Sequence, residues 1–297
     1  MTLSVIMPTY MDAEFISQAI EAILSQSYRD FELIIINDAS KDNTDQIVRK
    51  YALQDKRIKY IRNRENCGVV KTSNLGCRHA TGKYLYCASS DDWIKPCFFE
   101  TAIDNLEKHK ASLCFLETTF LYENGEYRPH KAIENVNELT YYDPERALQV
   151  LKNSYVSTAS AIVKLDSFIK QGYYSEKMAV YCDIISLNFI AGTEGFVYVP
   201  KEGTICRLYR EHETKYNPPL REKLKRLKTA LDYFLVEKGK FRFFCSCQML
   251  TKGINYKGFI FLLYPKYWPL APRLILSKLQ LIPRKISSIK KAIASKI

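Results

Sequence analysis

The sequence predicts an α/β protein built on a mostly parallel, doubly wound sheet that is flanked by helices. Strand-like and helix-like patterns alternate through residues 1–110, and the second strand is a continuous apolar run, Phe31–Asn37. Alternation of this kind is typical of parallel strands joined by helical crossovers. An unbroken apolar run is typical of a strand that is buried on both faces. These two observations predict the fold class.

The first half of the chain supplies five strands and four helices in alternation. The predicted strands are Leu3–Met7, Phe31–Asn37, Ile58–Ile61, Tyr84–Ala88 and Ser112–Leu116. The predicted helices cover Phe15–Leu24, the segment around Ile47–Tyr51, residues 72–80 and Phe99–Leu106. Apolar residues recur there at the spacing of one helix face, and Asp12 is the predicted N-cap of the first helix.

The pattern becomes mixed after residue 117. Glu123–Glu126 predicts a hairpin turn, and Pro144 predicts the start of a helix that runs through Leu151. The later elements are short strands at Ala159–Val163, Gly195–Val199 and Thr204–Leu208, a helix around Asp183–Ile190, and a charged helical stretch over 219–238. We therefore divide the chain at 1–110, 111–218 and 219–297.

Composition narrows the class of protein. The chain has 297 residues, of which 47% are hydrophobic and 26% charged, so it can bury a substantial core. The nine cysteines form no CxxC pair, which disfavours zinc-binding and thioredoxin-like interpretations. Met1-Thr2 leads directly into an apolar strand, so we expect no signal peptide and a cytoplasmic location.

Acidic residues follow the predicted strands at three places. Asp38 ends the second strand, Asp91 and Asp92 follow the fourth, and Asp183 begins a later helix. Ligands of open α/β sheets bind at the carboxyl ends of the strands, and a divalent cation bridging a diphosphate suits paired carboxylates. The alternatives are a solvated Asp-Asp turn with Pro96 opening the next helix, and helix capping by Asp38 and Asp183.

Several motifs, taken in order, resemble family 2 glycosyltransferases. They are Pro8-Thr9-Tyr10, the run Gln26–Thr44, Asn66-Cys67-Gly68, Asn74-Leu75-Gly76, Ala80–Tyr84, Ser89-Ser90-Asp91-Asp92 and Tyr209-Arg210-Glu211-His212. That family consists of inverting enzymes of the GT-A fold. The resemblance implies a Rossmann-like, nucleotide-sugar-binding half over 1–110 and a mixed acceptor-side half over 111–218. The charge pattern separately predicts a basic helical tail over 219–297.

The resemblance also implies a role for each matching residue. Asp183 is the implied general base, and Asp91, with Asp92, is the implied ligand of a divalent cation, Mn²⁺ or Mg²⁺. The implied substrate-binding residues are Pro8, Thr9, Tyr10, Asp38, Asn66, Asn74, Ser89, Ser90, Arg210 and His212. Tyr10 has ordinary packing as its alternative. An ionised Asp38 can accept the N3–H of uracil, which favours a UDP-linked donor, with GDP as the main rival.

Three positions depart from the family pattern. Ser89 stands where an Asp is usual, Ser73 where an Arg is common and Cys182 where a Glu is usual. The metal carboxylate and the base are retained. The departures therefore bear on sugar and nucleotide preference.

The positive charge of the chain is concentrated at its carboxyl end. Residues 221–297 contain 18 lysines and arginines and 3 acidic residues. Ile286, Ile289 and Ile293 share one predicted helix face, so we expect a peripheral contact with an anionic membrane surface at the inner face of the plasma membrane. The alternative is a solvated basic helix packed on the catalytic part.

The predicted reaction is transfer of a sugar from a nucleotide-sugar donor to a cell-surface glycan or a lipid-linked oligosaccharide. A nucleotidyltransferase is a second interpretation, but the loop Pro8–Ala13 has neither glycine nor a basic residue. A non-catalytic basic protein that binds membrane or nucleic acid is a third. No nucleic-acid motif supports it, so we expect no nucleic-acid partner.

Overall fold

A single mixed sheet carries the fold in the computed structural model, which describes residues 1–151, 154–177 and 182–208. The strands in these residues are β1 (Leu3–Thr9), β2 (Phe31–Asn37), β3 (Ile58–Arg62), β4 (Tyr84–Cys87), β5 (Trp93–Ile94), β6 (Leu113–Tyr122), β7 (Tyr127–His130), β8 (Thr140–Tyr142), β9 (Ala161–Lys164) and β10 (Phe196–Leu208). The helices in the same residues are α1 (Ile16–Leu24), α2 (Thr44–Gln54), α3 (Val69–His79), α4 (Phe98–His109), α5 (Pro144–Val150), α6 (Leu165–Lys170) and α7 (Cys182–Glu194).

The amino-terminal half of the sheet is parallel, in the order β3-β2-β1-β4. β2 is buried along its whole length and has the bounds that the sequence predicts. Helices cover the sheet, and α1 presents Ile16, Ala19, Ile20 and Ile23 to the core. The predicted doubly wound half is confirmed.

The second half of the sheet is mixed, in the order β4-β9-β6-β10-β5. β9 runs antiparallel between β4 and β6, so β6 regains the direction of β4. The two short strands predicted at Gly195–Val199 and Thr204–Leu208 are one strand, β10, with register shifts between Val199 and Thr204. β10 pairs in parallel with β6, which turns its end toward the same edge as β1, β2 and β4.

Two helix starts differ from the sequence-based expectation. α1 begins at Ile16 after a turn in which the Asp12 carbonyl accepts the N–H groups of Phe15 and Ile16, so the prediction of Asp12 as a side-chain N-cap was wrong. α4 begins at Phe98, so Pro96 is not its first residue. The predicted helix at Pro144 is confirmed, with the Asp143 side chain capping the N–H groups of Glu145 and Arg146.

A buried carboxylate closes the edge of the sheet at which β1 and β2 begin. Oε1 of Glu32 accepts the Ser4 hydroxyl at 2.6 Å and the backbone and side chain of Thr81 at 2.8 and 2.7 Å. Oε2 lies 2.6 Å from Nζ of Lys59. A Cβ on Gly82 would lie 2.6 Å from the Ser4 backbone nitrogen, which explains the glycine. This network accounts for the segment Ala80–Tyr84 as a structural motif.

The predicted boundary at 110/111 falls between α4 and β6, and both sides contribute strands to one sheet. The division into a donor half and an acceptor half stays a prediction. The predicted tail, 219–297, lies outside the described residues. None of the helices in the described part of the chain is both long and apolar enough to span a membrane.

We expect Glu32→Gln to lower the free energy of unfolding by about 2 kcal/mol at pH 7. The variant replaces a buried carboxylate with a neutral amide, so the donors Ser4, Thr81 and Lys59 lose a charged acceptor. Burial tends to raise the pKa of Glu32, but Lys59, Ser4 and Thr81 outweigh it and hold the pKa below the ordinary value of 4.5. The difference in the free energy of unfolding between wild type and variant is therefore complete above pH 4.5. It is lost as the pH falls through the lowered pKa of Glu32. Urea unfolding between pH 3 and 7 measures it.

Glu107→Gln is the matched control. Glu107 pairs with Lys83 at 2.6 Å, but both side chains are about half exposed, so the change should cost less than about 1 kcal/mol. Equal losses of unfolding free energy in the two variants would show that burial does not increase the contribution of Glu32 to stability.

Candidate active site

Three loops meet at the carboxyl edge of the sheet because β1, β2 and β4 are parallel. β1 ends at Thr9, β2 at Asn37 and β4 at Cys87. The residues that follow are Tyr10, Asp38 and the Ser89–Asp92 motif. The predicted donor-site residues therefore lie on neighbouring loops of one edge, where open α/β sheets bind ligands.

Asp38 is buried and holds the loop that starts α3. Its Oδ1 accepts the Asn63 side chain at 2.7 Å and the backbone N–H of Cys67 at 2.9 Å, and its Oδ2 accepts the backbone N–H of Gly68 at 2.8 Å. Gly68 has φ +84°, a conformation that favours glycine. Asn66, predicted to bind substrate, is exposed in the same loop.

The charge of Asp38 is stabilised in place. Burial tends to raise its pKa, but the N–H of Cys67, the Asn63 amide and the N–H of Gly68 outweigh burial and lower it below the ordinary value. A carboxylate offers about four acceptor positions, and the Thr72 hydroxyl is a fourth protein donor to Asp38, so a ligand N–H would share an oxygen with one of these donors or replace it. The capping alternative is partly right, since Asp38 binds the start of α3 rather than that of α2.

Asp12 joins the first loop to the Ser89–Asp92 motif. Its Oδ2 accepts the Thr9 hydroxyl at 2.9 Å, the Tyr10 backbone N–H at 3.0 Å and the Ser90 hydroxyl at 2.5 Å. The Ser90 hydroxyl also lies 3.3 Å from the Pro8 carbonyl. The structure thus brings four predicted substrate-binding residues together around a carboxylate that was not predicted to be part of the site.

Thr9 and Tyr10, two predicted substrate-binding residues at the end of β1, differ in exposure. The Thr9 side chain is buried and engaged by Asp12, whereas Tyr10 is 45% exposed. An exposed ring at this edge is available to a ligand, so the packing alternative for Tyr10 is not supported.

Arg207, near the end of β10, fixes Asp91 and Asp92. Its backbone N–H donates to Oδ1 of Asp92 at 2.8 Å, and its guanidinium donates to the Asp91 carbonyl. The guanidinium carbon lies 4.7 Å from the Phe15 ring centroid and 4.6 Å from that of Trp93. An Arg between two aromatic rings is held by cation–π attraction on both faces.

The two adjacent carboxylates are both partly exposed. Partial removal from water raises the pKa of Asp92, and the charge of Asp91 raises it further, against hydrogen bonds from Arg207, Cys206 and Ser89. Ser89, predicted to contact the donor, therefore also contacts Asp92.

The chemistry of this pair fits a cation that is shared with substrate. No group of three His, Cys, Asp or Glu side chains in the described residues could enclose a metal ion. Mg²⁺-type sites commonly use one or two carboxylates, with phosphate oxygens and water completing the shell. Asp91, supported by Asp92, meets that requirement.

Asp183 lies in the first turn of α7, with Thr158 as its side-chain partner. The Thr158 hydroxyl donates to Oδ2 of Asp183 at 2.9 Å. Burial raises the pKa of Asp183, against the hydrogen bonds from the Ile184 backbone and Thr158. A carboxylate with a raised pKa can accept a proton more readily. The Ile184 contact also agrees with the helix-start alternative.

The remaining predicted residues divide into two groups. Asn74 is buried, and its amide both accepts from and donates to the backbone of Tyr174, at 3.0 and 2.8 Å. This contact positions the Tyr174 segment, and substrate binding by Asn74 stays a prediction. Arg210 and His212 lie outside the described residues.

Sequence reasoning missed Asp12, Asn63, Thr158 and Arg207 as parts of the site. Asp12 carried a helix-cap signal that concealed its role. Asn63, Thr158 and Arg207 have no local motif of their own, and only the folded sheet brings them to the carboxylates.

Comparison with known proteins agrees with this geometry. A family model described as "Glycosyl transferase family 2" matches residues 4–172, more than half of the chain. The match includes Thr9, Asp38 and Asp91 and ends before Asp183.

Two curated relatives each match a little more than a third of the chain. "Putative glycosyltransferase EpsE" of Bacillus subtilis (strain 168) is 41% identical over 108 residues, 36% of this chain and 39% of that protein. "Glycosyltransferase GlyA" of Streptococcus pneumoniae serotype 4 is 30% identical over 111 residues, 37% of this chain and 16% of that protein. The match thus spans well under half the length of each relative.

The fold also matches that of a solved enzyme. The crystal structure of S. aureus TarS 1-349 in complex with UDP-GlcNAc superposes with a TM-score of 0.62 at 19% identity, over 84% of this chain and 74% of that one. At this identity the likeness concerns the fold, which is therefore GT-A. The motif-bearing loops, the sheet and the family match lead to one conclusion: this chain belongs to glycosyl transferase family 2.

Proposed function

We propose that this chain transfers a hexose or N-acetylhexosamine, with inversion, from a UDP-linked donor to a cell-surface glycan or lipid-linked oligosaccharide. The observation that carries the proposal is the position of Asp38 and Asp91 on neighbouring loops at the carboxyl edge of the sheet, inside the segment that matches the family. TarS was solved with UDP-GlcNAc and with UDP, which supports a uridine nucleotide. A further relative, "Minor teichoic acid biosynthesis protein GgaB", supports a cell-surface acceptor.

In the proposed mechanism, Asp38 accepts the N3–H of uracil and Tyr10 lies against the base. Asp183 accepts the proton of the acceptor hydroxyl while that oxygen attacks the anomeric carbon. The bond from this carbon to the diphosphate oxygen breaks on the opposite face, so the configuration inverts. A divalent cation held by Asp91 would neutralise charge on the departing diphosphate.

The structure disfavours the nucleotidyltransferase alternative. Phosphate-cradling loops present unpaired backbone N–H groups. Here the backbone N–H groups of 10–13 donate to side-chain oxygens of Asp12, Ser40, Thr44 and Asp42. These N–H groups of the first loop are therefore already occupied, mostly by the segment Ser40–Thr44, and do not form a phosphate-binding nest.

We expect UDP to bind the wild-type chain more tightly with Mn²⁺ than with EDTA, and GDP to bind more weakly than UDP. Asp91→Asn should remove the Mn²⁺-dependent part, a loss of at least tenfold in Kd, because the variant lacks the charged ligand. Isothermal titration calorimetry measures all of these affinities.

Asp104→Asn, which changes an exposed carboxylate on α4, is the control and should leave the affinities unchanged. Unchanged Mn²⁺-dependent binding in Asp91→Asn would refute the metal assignment. Tighter binding of GDP than of UDP would refute the nucleotide assignment.

Asp183→Asn should lower turnover by about 10²–10⁴-fold, the usual range for a positioned acid–base group, while UDP affinity stays within about twofold. The assay follows UDP release from a panel of UDP-glucose, UDP-galactose and UDP-N-acetylglucosamine, with GDP-mannose as the contrasting donor. Asp166→Asn is the control, since Asp166 is an exposed acid in the first turn of α6. Wild-type turnover in Asp183→Asn would contradict the proposed base.

We further propose that the basic carboxyl-terminal region holds the enzyme at the inner membrane surface. Truncation after Pro283 should reduce sedimentation with phosphatidylserine vesicles, since each basic residue near anionic lipid contributes about 1 kcal/mol. High salt should weaken binding of the full chain without abolishing it, because salt does not remove the apolar contact of Ile286, Ile289 and Ile293 with the membrane. Equal sedimentation of both forms would show that 284–297 is not the anchor.

A further inference from the structure

Four buried hydroxyl groups form a cluster around the turn that carries Thr158, and we call them the hydroxyl cluster: Thr118, Ser157, Ser160 and Thr204. Oγ1 of Thr118 lies 2.6 Å from Oγ of Ser157 and 3.0 Å from Oγ1 of Thr204. Ser160 donates to the Leu116 carbonyl at 2.6 Å. All four residues are buried. Buried polar groups whose partners are all in place rigidify their surroundings.

The hydroxyl cluster holds a 3-10 turn, Thr158–Ser160, from both sides. Ser157 precedes the turn and Ser160 ends it, and both bind β6. The carbonyl of Ala159, at the centre of the turn, accepts the Tyr86 hydroxyl of β4 at 2.8 Å. The backbone of Thr158 is therefore fixed to two strands of the sheet.

The hydroxyl of Thr158 reaches Asp183 from this fixed turn, at 2.9 Å from Oδ2. A side chain that is held by its own surroundings keeps a catalytic group within the narrow range of productive geometry. A donor to one carboxylate oxygen also stabilises the ionised form over the protonated one.

We propose that Thr158 is the positioning residue of proton transfer, which orients the Asp183 carboxylate and keeps it ionised. This inference rests on the proposed function, in which Asp183 is the base. Thr158 acts through Asp183 and does not itself exchange the proton.

Few groups near Asp183 other than Thr158 can favour its ionised form. Among the described residues, the titratable groups that face Asp183 are the thiol of Cys87 on β4, the phenol of Tyr174 after α6 and the thiol of Cys182 on α7. Burial raises the pKa of each of them, so all three are neutral near pH 7. The Thr158 hydroxyl and the Ile184 backbone act against the burial that raises the pKa of Asp183.

The test compares Thr158→Val, which keeps the shape and removes the donor, with Thr158→Ser, which keeps the donor. The readout is kcat as a function of pH, measured on the full chain as UDP release from the UDP-sugar that the donor panel identifies. In Thr158→Val the acid limb of the profile should move to higher pH by about one unit, because the base loses a donor that favours its ionised form. The plateau should fall by about tenfold, because the base loses its fixed geometry.

Thr158→Ser should restore both the plateau, to within about twofold, and the position of the acid limb. UDP affinity should be unchanged in both variants, which verifies that the donor site is folded. If Thr158→Val yields no folded protein, Thr158→Ala takes its place in the same comparison.

A Thr158→Val profile that superposes on the wild type would overturn the inference. So would a Thr158→Ser profile that matches Thr158→Val, since packing of the methyl group would then be the cause. These failures differ from a failure of the proposed function, which shows as wild-type turnover in Asp183→Asn.

Discussion

Parallel pairing of β1, β2 and β4 is the constraint on which the rest of the site depends, because it places three loops side by side. Backbone N–H groups in such loops have no strand partner and must find other acceptors. Asp12 and Asp42 accept two of them, and Asp38 accepts two more from the loop that follows β3. Part of the acidity of this edge therefore builds the loops, and only part remains for chemistry.

Burial and hydrogen-bond donors act in opposite directions on the pKa values of the carboxylates in the site. Burial disfavours the charge of both Asp38 and Asp183, yet the pKa of Asp38 is lowered and that of Asp183 is raised. The difference lies in the donors, since Asp38 has three of them from one loop, whereas Asp183 relies on Thr158 and its own helix start. A permanently charged anchor and a proton acceptor need such different environments.

Elements of the fold and of the candidate site could be predicted from the sequence wherever a local residue pattern depends only on the local environment. β2 could be predicted to the residue because burial on both faces leaves the apolar run Leu33–Ile36 after Phe31, and Asp38 and Asp91 could be placed because they follow the ends of strands within a few residues. The antiparallel insertion of β9 could not be predicted, since a short apolar segment does not reveal its direction. The merging of two short segments into β10 was also hidden, because the register shifts near Glu202 interrupt the pattern of burial.

Three of the four site residues that were missed, Asn63, Thr158 and Arg207, have partners that lie far away in the chain. Arg207 follows Asp92 by 115 residues, and Thr158 precedes Asp183 by 25. Motif spacing identifies which residues can do chemistry, but not which ones hold them in position.

The attachment of Arg207 to Asp91 and Asp92 has a consequence for how the site is assembled during folding. Contacts between residues so distant in sequence form late, because the intervening chain must first be ordered. A nascent chain that has emerged only through residue 172 carries every motif that the family model matches, yet it lacks the strand that holds the paired carboxylates. The Asp91–Asp92 segment would therefore be held in place only once β10 has formed, so that incomplete chains display the family's signature without this contact.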